Sequence, residues 1–482
     1  MYNIRKKTKV VCTIGPASES YDQLRALIKA GMNVMRLNFS HGTYDEHLLK
    51  INNILQIEKE HGLFVPIMLD TRGPEIRTHL FEDGGVELIR DETIRIAMKE
   101  VLGSKEKFSV THPGLFDDVA IGDLIKIDDG KLNLIIEEKD EENRELVCRI
   151  QNTHYVTNRK GLNAPFARLS LPYISETDRN DLEFGCKNHI DMVAASFVRR
   201  PEDVEEIRKV CAEFGREDMR IISKIENREA LDKIDEIIEA SDGIMVARGD
   251  LGVEIEPEVV PVYQELIIKK CRNLGKPVIT ATQMLDSMQT HPVPTRAEVS
   301  DVATAIREST DAVMLSAESA SGDYPVEATK MQAKIAETIE QFLDYKVLAE
   351  EAYETSNRSV SDAIATSVAN TANLIGAKAI FCFSETGRSG ARISKARPIC
   401  PIFLITDIRE TALNMNLYWG VNSIFIRHLP QFIEDMEAVS LVKAHDVGLK
   451  SGDPIIITGG TPTGSGKTNF MRIVYVNKIK DI

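Results

Sequence analysis

The sequence predicts an α/β protein with more than one domain, and three observations support this prediction. Apolar, β-branched runs recur between residues 9 and 319 and alternate with segments of helical periodicity. Residues 74–169 interrupt this alternation with strand-like segments and turn signals. The alternation of strand and helix patterns restarts after residue 359. A chain of 482 residues is also too long for one ordinary domain.

The first α/β region contains eight apolar runs, separated by helical segments such as EDVEEIRKVCAEFG and REALDKIDEIIEAS. The runs are KVVCTIG (9–15), NVMRLNF (33–39), VPIMLDT (65–71), MVAASFV (192–198), RIISKIE (220–226), GIMVARG (243–249), PVITATQ (277–283) and AVMLSAES (312–319). Strands that are apolar throughout and alternate with helices are typical of buried parallel sheets. Eight such units predict a (β/α)8 barrel, the TIM-barrel architecture.

The segment between the third and fourth runs has a different pattern. VELIRDETIRIAM, DLIKIDDGKLNLIIEE and ELVCRIQNTHYV alternate in polarity, and Asp129-Gly130 marks a turn inside the second of them. This pattern predicts an all-β insert on the third βα loop, at the end of the barrel where active sites lie. We expect the insert to act as a lid, while an inert insertion is the alternative.

A second α/β region begins near Ser359. Strand-like runs occur at AKAIFCFS, CPIFLITD, VNSIFIRH, PIIITGG and NFMRIVYV, which favours an open doubly wound sheet. The helical stretch from Pro325 to about Glu354 is predicted to connect it to the barrel. The predicted domains are the barrel at residues 1–73 and 170–345, the all-β lid at 74–169 and the C-terminal α/β effector domain at 346–482.

Composition narrows the classes of function. The formal net charge of −15 argues against general binding to nucleic acid or to an anionic membrane, so an anionic substrate needs a local cluster of cations. The seven cysteines are scattered and never spaced C-x-x-C, as is typical of reduced core thiols. No run approaches the roughly 18 apolar residues of a membrane span, and the first apolar run is too short for a signal peptide. We therefore expect a cytoplasmic protein.

The segment GGTPTGSGKT (459–468) is similar to a Walker A phosphate loop but misses its spacing. The motif needs glycine five residues before the glycine of Gly-Lys-Thr, and Thr461 occupies that position while Gly460 comes one residue too early. The strand-like NFMRIVYV follows where a P-loop requires a helix. The glycine-rich turn can still bind an anion through backbone N–H groups, although a plain hairpin turn explains it equally well.

A second loop in the same region favours anion binding. SETGRSGARIS (384–394) follows a predicted strand and precedes a predicted helix, an arrangement typical of phosphate sites. Two such loops in one domain favour a phosphorylated small-molecule effector. Its candidate ligands are Thr386, Arg388, Ser389, Gly464, Gly466 and Lys467.

Polar side chains occur where the predicted barrel strands end, which is where this architecture places catalytic groups. They are Arg36, Asn38, Ser40 and His41 after the second strand, Asp70, Thr71 and Arg77 after the third, Lys224 and Glu226 at the fifth, Asp250 after the sixth, Thr282 at the seventh, and Ser316 and Glu318 at the eighth. Period-two spacing predicts one shared strand face for Arg36, Asn38 and Ser40, and another for Lys224 and Glu226. A structural ion pair explains any one of these charges, but an active site explains the whole set better.

The residue types in this set indicate phosphoryl transfer. Glu226 and Asp250 can hold a hard divalent cation such as Mg²⁺ together with substrate phosphates. Three cations, Arg36, Arg77 and Lys224, can neutralise a transferring phosphoryl group. The neutral oxygens and one carboxylate of Asn38, Ser40, Asp70 and Thr71 suit a cation of low charge.

The chain resembles the pyruvate kinase family over nearly its whole length. The segments that carry the resemblance, in the family's order, are VVCTIGPAS, NVMRLNFSHG, LDTRGPEIRT, ISKIENREA, SDGIMVARGDLGVE, ATQMLDSM, PTRAEVSDVATAI and DYPVEA. The resemblance implies a barrel, a β-barrel lid inserted after its third strand and a C-terminal effector domain. It implies phosphoryl transfer from phosphoenolpyruvate to ADP, the last step of glycolysis, in a cytoplasmic homotetramer activated by a phosphorylated metabolite.

The resemblance also implies a role for each matching residue. Mg²⁺ (or Mn²⁺) is bound by Glu226 and Asp250, the phosphoryl group is neutralised by Lys224 and held by Arg36 and Arg77, and the substrate carboxylate faces Gly249, Asp250 and Thr282. Thr282, through water, is the implied proton donor to the enolate. The implied K⁺ ligands are Asn38, Ser40, Asp70 and Thr71, and Glu75 matches the K⁺-dependent form of its segment. ADP contacts Asn38, Ser40, His41, Arg77 and Lys160.

Two segments depart from the family pattern. LSAES replaces the common LSGET, which leaves the roles of Ser316 and Glu318 open, and GLNAPFARLSLP departs from the usual form of the returning lid hinge. Two other functions are compatible with part of this pattern. An aldolase or lyase that uses Mg²⁺-bound pyruvate would share Glu226 and Asp250 without needing the K⁺ ligands or the lid. A phosphometabolite sensor without catalysis would be expected to lack Lys224 or Arg36, and both are present.

Overall fold

A computed structural model of the chain describes residues 6–461 and 468–477. Its strands are β1 (Lys9–Thr13), β2 (Val34–Asn38), β3 (Ile67–Asp70), β4 (Ile76–Arg77), β5 (Gly85–Leu88), β6 (Thr93–Ala97), β7 (Lys107–Ser109), β8 (Leu124–Ile127), β9 (Leu132–Asp140), β10 (Glu145–Ile150), β11 (His154–Thr157), β12 (Gly161–Asn163), β13 (Met192–Ala195), β14 (Arg220–Ile225), β15 (Gly243–Ala247), β16 (Val278–Ala281), β17 (Ala312–Leu315), β18 (Ala379–Phe383), β19 (Ile402–Thr406), β20 (Val421–Phe425), β21 (Pro454–Gly459) and β22 (Phe470–Tyr475).

The helices alternate with these strands except in the insert. They are α1 (Tyr21–Ala30), α2 (Tyr44–His61), α3 (Leu115–Asp118), α4 (Glu176–Lys187), α5 (Pro201–Glu213), α6 (Arg228–Asp232), α7 (Ile234–Ala240), α8 (Arg248–Glu254), α9 (Val260–Leu274), α10 (Arg296–Arg307), α11 (Ala317–Ala320), α12 (Pro325–Ile339), α13 (Tyr345–Glu354), α14 (Val360–Ile375), α15 (Arg388–Lys395), α16 (Arg409–Asn414) and α17 (Ile433–Asp446). Short 3-10 helices cover Glu82–Gly84, Pro257–Val259, Asp286–Gln289, Glu340–Phe342 and Met415–Leu417.

Eight parallel strands close into a barrel in the order β1-β2-β3-β13-β14-β15-β16-β17, with β17 pairing back onto β1. The predicted (β/α)8 barrel is confirmed, and each apolar run forms one strand. Nearly every strand residue is buried, because one face points into the barrel and the other packs under the surrounding helices. Charged side chains are therefore confined to the strand ends.

The insert folds as a separate all-β unit. Seven strands form one sheet in the order β4-β12-β8-β9-β10-β6-β7, and β5 pairs with β11 in a second sheet. The predicted turn at Asp129-Gly130 joins β8 to β9, and both residues have positive φ, which glycine and aspartate tolerate. The insert has its own apolar core, although the short helix α3 inside it was not predicted.

The C-terminal domain is an open sheet in the order β20-β19-β18-β21-β22, and its first four strands are parallel. β22 runs antiparallel to β21. Apolar residues of α14 and α15 pack on one face of the sheet and those of α17 on the other, which confirms the doubly wound prediction. Among the described residues, no helix is both long and apolar enough to cross a bilayer.

The helical stretch Pro325–Glu354 is not the single connector that the sequence predicted. Helix α12 packs against α1 and α10 as the last helix of the barrel, whereas α13 packs against α14 of the C-terminal domain. The break follows Glu340, whose buried carboxylate accepts hydrogen bonds from the backbone of Lys7 and Thr8. Asp344 then caps α13. The domain boundaries drawn from the sequence stay predictions.

Candidate active site

Four charged side chains meet at the carboxyl ends of β2, β3 and β14. Arg36 Nε donates to Asp70 Oδ2 at 2.7 Å, and the same guanidinium donates to Thr13 Oγ1 at 2.7 Å. Lys224 Nζ lies 3.1 Å from Asp70 Oδ1 and 2.9 Å from Glu226 Oε1. None of the four charged residues is more than 8% exposed, so the cluster pairs its charges with one another.

Ser196 joins this cluster, and the sequence analysis missed it. The residue follows β13 directly, and its Oγ accepts a hydrogen bond from Lys224 Nζ at 2.8 Å. The same Oγ donates to the backbone carbonyl of Thr71 at 2.7 Å and lies 3.2 Å from Asp70 Oδ1. In the sequence, Ser196 is a single hydroxyl within the apolar run MVAASFV, and no other residue of that run is a candidate site residue.

The buried charges shift one another's protonation. Burial alone would raise the pKa of Asp70, but Arg36 and Lys224 outweigh it and hold that pKa below its usual value. Burial disfavours the Lys224 ammonium, yet Asp70 and Glu226 raise its pKa above the ordinary lysine value. Burial raises the pKa of Glu226 to about 7, and Asp250 adds to this while Lys224 opposes it. Lys224 therefore stays charged, and Glu226 titrates near neutrality.

Glu226 and Asp250 suit a divalent cation. Glu226 Oε2 accepts from the Phe197 backbone N–H at 2.6 Å, while Oε1 lies 2.9 Å from the Lys224 ammonium and has no other polar contact among the described residues. Asp250 lies near enough to raise the Glu226 pKa. No group of three or more His, Cys, Asp and Glu side chains in the described part of the chain could hold a metal. Two carboxylates with substrate oxygens and water match the usual Mg²⁺ environment.

Thr282 has an unusual backbone conformation at the end of β16. Its φ is +69°, and that of Gln283 is +54°, which is uncommon for any residue with a Cβ and rare for a β-branched one. The Gly249 backbone N–H donates to Thr282 Oγ1 at 2.8 Å. Arg248, fixed to Asp301 at 2.7 Å, donates to the Thr282 carbonyl at 2.7 Å. Backbone strain held in place this way is typical of functional sites.

The residues predicted to bind a cation of low charge lie close together, but the predicted strand position of Ser40 is wrong. Asn38 pairs with Asp70 across β2 and β3, and Thr71 is the next residue along the chain. β2 ends at Asn38, so Ser40 does not share a strand face with Arg36 as predicted; it lies on the following turn, with its N–H 3.1 Å from Asn38 Oδ1. The turn forms because Asn38 accepts this backbone hydrogen bond. His41 is exposed on the same turn.

The candidates from the insert are paired locally. Arg77 contacts Glu75 Oε2 through Nη2 at 2.7 Å and donates to the Arg159 carbonyl at 2.8 Å. Burial raises the pKa of Glu75, and Arg77 opposes that shift. Lys160 Nζ lies 2.8 Å from Asp128 Oδ1, within the insert. Arg77 and Lys160 can therefore bind phosphate only after they release these partners, which requires the cleft to rearrange.

Glu318, whose role the sequence left open, binds backbone amides. Its Oε2 accepts from the Ser316 N–H at 2.8 Å, and its Oε1 accepts from the Leu285 N–H at 3.2 Å. Burial raises the pKa of this carboxyl. Glu318 thus ties the end of β17 to the loop that carries Thr282, which is a structural role.

One predicted effector loop contacts the last residue of the other. Ser389, at the start of α15, is hydrogen bonded to Thr468, the first described residue after the glycine-rich turn. Thr386 and Arg388 line a cavity of about 1010 Å³ between the barrel and the C-terminal domain. The other candidates, Gly464, Gly466 and Lys467, lie outside the described residues.

Paired cations and carboxylates at the carboxyl end of a barrel, beneath an inserted domain, define a phosphotransferase. The family model for the barrel domain of pyruvate kinase matches residues 5–329, and the model for its α/β domain matches residues 362–474. The chain belongs to the pyruvate kinase family.

Similar proteins agree with this assignment. The chain is 48% identical to the pyruvate kinase of Geobacillus stearothermophilus over 99% of its own length and 81% of that protein. It is 48% identical to the pyruvate kinase of Staphylococcus aureus strain MRSA252, covering 98% of this chain and 80% of that one. A crystal structure of a Cryptosporidium parvum pyruvate kinase superposes with a TM-score of 0.92 at 37% identity, over 98% of this chain and 96% of the other.

Proposed function

We propose that this chain transfers a phosphoryl group from phosphoenolpyruvate to ADP, giving pyruvate and ATP, and that it depends on Mg²⁺ and K⁺. The observation that most strongly supports this proposal is the buried cluster of charges at the end of the barrel, formed by Arg36, Asp70, Lys224 and Glu226. Membership of the pyruvate kinase family supports the choice of substrates. Phosphoryl transfer needs little covalent chemistry from the protein, so positioned charges are its main requirement.

Lys224 and Arg36 are the proposed cations for the transferring group. Asp70 contacts both residues and so holds the Arg36 guanidinium and the Lys224 ammonium close together. Because Asp70 and Glu226 raise the pKa of Lys224, its positive charge is available throughout the reaction. Arg77, at the base of the insert, is proposed to add a third cation once it leaves Glu75.

Glu226 and Asp250 are the proposed holders of Mg²⁺ (or Mn²⁺). Such an ion neutralises charge on the carboxylate and phosphate of the substrate when it is bound. Glu226 Oε1 supports this proposal, because it is buried and its one contact among the described residues is the Lys224 ammonium, which leaves a lone pair for a cation. Glu226 must lose its proton to bind a cation.

The remaining roles follow the family resemblance. Gly249, Asp250 and Thr282 face the substrate carboxylate, and Thr282 delivers a proton through water to the enolate. In support, Thr282 Oγ1 lies 2.8 Å from the Gly249 nitrogen, on a loop that Arg248 holds in place. A threonine hydroxyl is a weak acid, so we assign the proton to an intervening water.

The proposed K⁺ ligands are Asn38, Ser40, Asp70 and Thr71, and the neighbouring register of Asn38 and Asp70 supports them. Glu75 is proposed to make the enzyme K⁺-dependent. ADP is proposed to lie against Asn38, Ser40, His41, Arg77 and Lys160. Lys160 is proposed to reach the nucleotide after it leaves Asp128.

We also propose regulation by a phosphorylated metabolite at the loops of Thr386, Arg388 and Ser389, extended by Gly464, Gly466 and Lys467. The hydrogen bond between Ser389 and Thr468 supports convergence of the two loops. A cytoplasmic homotetramer completes the proposal and rests on the family resemblance.

The test is pyruvate formation from phosphoenolpyruvate and ADP with Mg²⁺, measured in K⁺ and in a tetramethylammonium salt. We expect turnover in K⁺ and its loss in Lys224→Met, while Lys187→Met on the barrel surface keeps wild-type activity. Glu75→Lys is expected to work without K⁺. No turnover under any condition, with sugar phosphates and AMP included, would indicate a phosphometabolite sensor instead of an enzyme.

A further inference from the structure

Two polar contacts fasten the insert to helix α8 of the barrel, and one of them is made by Asn163 in the returning hinge segment GLNAPFARLSLP. Asn163 Nδ2, at the end of β12, donates to Glu254 Oε1 at 2.6 Å. Lys126 Nζ, in β8, donates to the backbone carbonyl of Val253. Both acceptors belong to the last turn of α8. The insert therefore contacts the barrel through the same short helix that carries Asp250.

Helix α8 links these contacts to the proposed metal site. Asp250 lies in its first turn, and Glu254 follows four residues later, one turn along the helix. A single hydrogen-bonded turn cannot shift at one end without moving the other. A force on Glu254 from the insert therefore changes the position of Asp250.

Glu254 is suited to hold the insert on the barrel. Burial raises the pKa of its carboxyl, and Asn163 and Lys126 oppose that shift by stabilising the charged form. Asn163, Glu254, Asp250 and Glu75 all line a cavity of about 100 Å³ between the insert and the barrel. A hydrogen bond to a carboxylate in such a cleft is stronger than one between neutral groups.

We propose that Asn163 and Glu254 are positioning residues for the reaction: their hydrogen bond holds the closed insert on α8 and so places Asp250 for the divalent cation. This inference rests on the proposed function. It assigns the contact between the insert and the barrel to Asn163 and Lys126, whereas Lys160 is paired with Asp128 inside the insert. Closure of the insert and completion of the metal site are then one event.

The hydrogen bond can be broken and rebuilt with its direction reversed. Asn163→Asp places a second carboxylate opposite Glu254, so the hydrogen bond is replaced by repulsion. Glu254→Gln keeps an acceptor for Asn163 and should behave nearly as wild type. In the double variant, the new amide at 254 can donate to the new carboxylate at 163, so the contact returns with opposite polarity. A residue with only a local packing role would show no such rescue.

The matched control is Asn143→Asp. Asn143 Nδ2 donates to Asp140 Oδ2 at 3.0 Å, so the change creates the same repulsion inside the insert, at an exposed turn. Thermal unfolding of every variant checks that the insert and barrel remain folded.

Two readouts do not need turnover. Mn²⁺ binding followed by electron paramagnetic resonance should weaken about tenfold in Asn163→Asp and recover in the double variant. Hydrogen exchange of α8 and β12 should rise and recover in parallel. For turnover, kcat/KM should fall about tenfold in Asn163→Asp, recover in the double variant and stay unchanged in Asn143→Asp.

Two results would overturn the inference: wild-type Mn²⁺ affinity in Asn163→Asp, or a loss that the double variant fails to recover. If the wild-type protein shows no turnover, the proposed function fails. Metal binding and hydrogen exchange then still decide whether Asn163 and Glu254 position Asp250.

Discussion

Lys224→Met removes the cation shared by two buried carboxylates, and we expect a loss of stability that grows with pH. Lys224 Nζ lies 3.1 Å from Asp70 Oδ1 and 2.9 Å from Glu226 Oε1. Removing one partner of a buried ion pair typically costs about 3–5 kcal/mol, because the other charge stays buried without a partner. In this variant Asp70 still contacts Arg36 at 2.7 Å, so most of the loss in stability comes from Glu226, which has lost its cationic partner.

The pH dependence follows from the raised pKa of Glu226. That pKa is about 7 in the folded protein and near its ordinary value in the unfolded chain, so the folded state binds the extra proton. The stabilisation from this extra proton is present in full below the pKa of Glu226 in the unfolded chain, and it is lost as the pH rises through the pKa of Glu226 in the folded protein. Without Lys224 the folded pKa of Glu226 rises further, because the charge that opposed the effect of burial is gone, so the loss extends to higher pH. Each tenfold increase in proton affinity adds about 1.4 kcal/mol of destabilisation at pH 8 relative to pH 6.

Pulse proteolysis across a urea series, at pH 6 and pH 8, measures the unfolding free energy of the barrel in this multidomain chain. Lys187→Met is the control, because its exposed ion pair with Glu183 contributes about 0.5 kcal/mol or less. Equal losses at the two pH values, or a Lys224→Met midpoint matching that of Lys187→Met, would refute the reasoning about Glu226.

Three further predictions follow from the same structure. Ser196→Ala removes the hydrogen bond that orients Lys224, so kcat should fall about tenfold, and the lost buried hydrogen bonds should cost about 1–3 kcal/mol of stability; unchanged kcat would contradict it. Arg397→Met removes the guanidinium partner of the buried Asp311 carboxylate, which keeps only backbone hydrogen bonds, and should cost about 3–5 kcal/mol by calorimetry, whereas an unchanged midpoint would argue against a buried ion pair. Mn²⁺ affinity should fall about tenfold per unit below pH 7, since Glu226 must lose its proton; a flat profile would exclude that residue as the titrating ligand.

Much of the candidate site could be predicted because this fold places its chemistry at strand ends. Lys224 and Asp70 were found as charges at the ends of apolar runs, and the structure brings them within 3.1 Å. Ser196 was missed because a serine after an apolar run is common and carries no charge signal. Glu318 was noticed without a role, because its partners, the backbone amides of Ser316 and Leu285, have no side-chain signature in the sequence.

The sequence by itself determined the eight barrel strands, the all-β insert, the doubly wound C-terminal sheet and the charges at the strand ends, because each depends on local periodicity and residue type. Only the tertiary structure decided that α12 belongs to the barrel, that Ser40 lies beyond its strand, and that Asn163 contacts Glu254. The first and the third depend on contacts between segments far apart in the chain, and the second on a local turn in which Asn38 accepts from the Ser40 N–H. A local pattern cannot specify such a partner, since it records which face of an element is apolar and not what packs against that face.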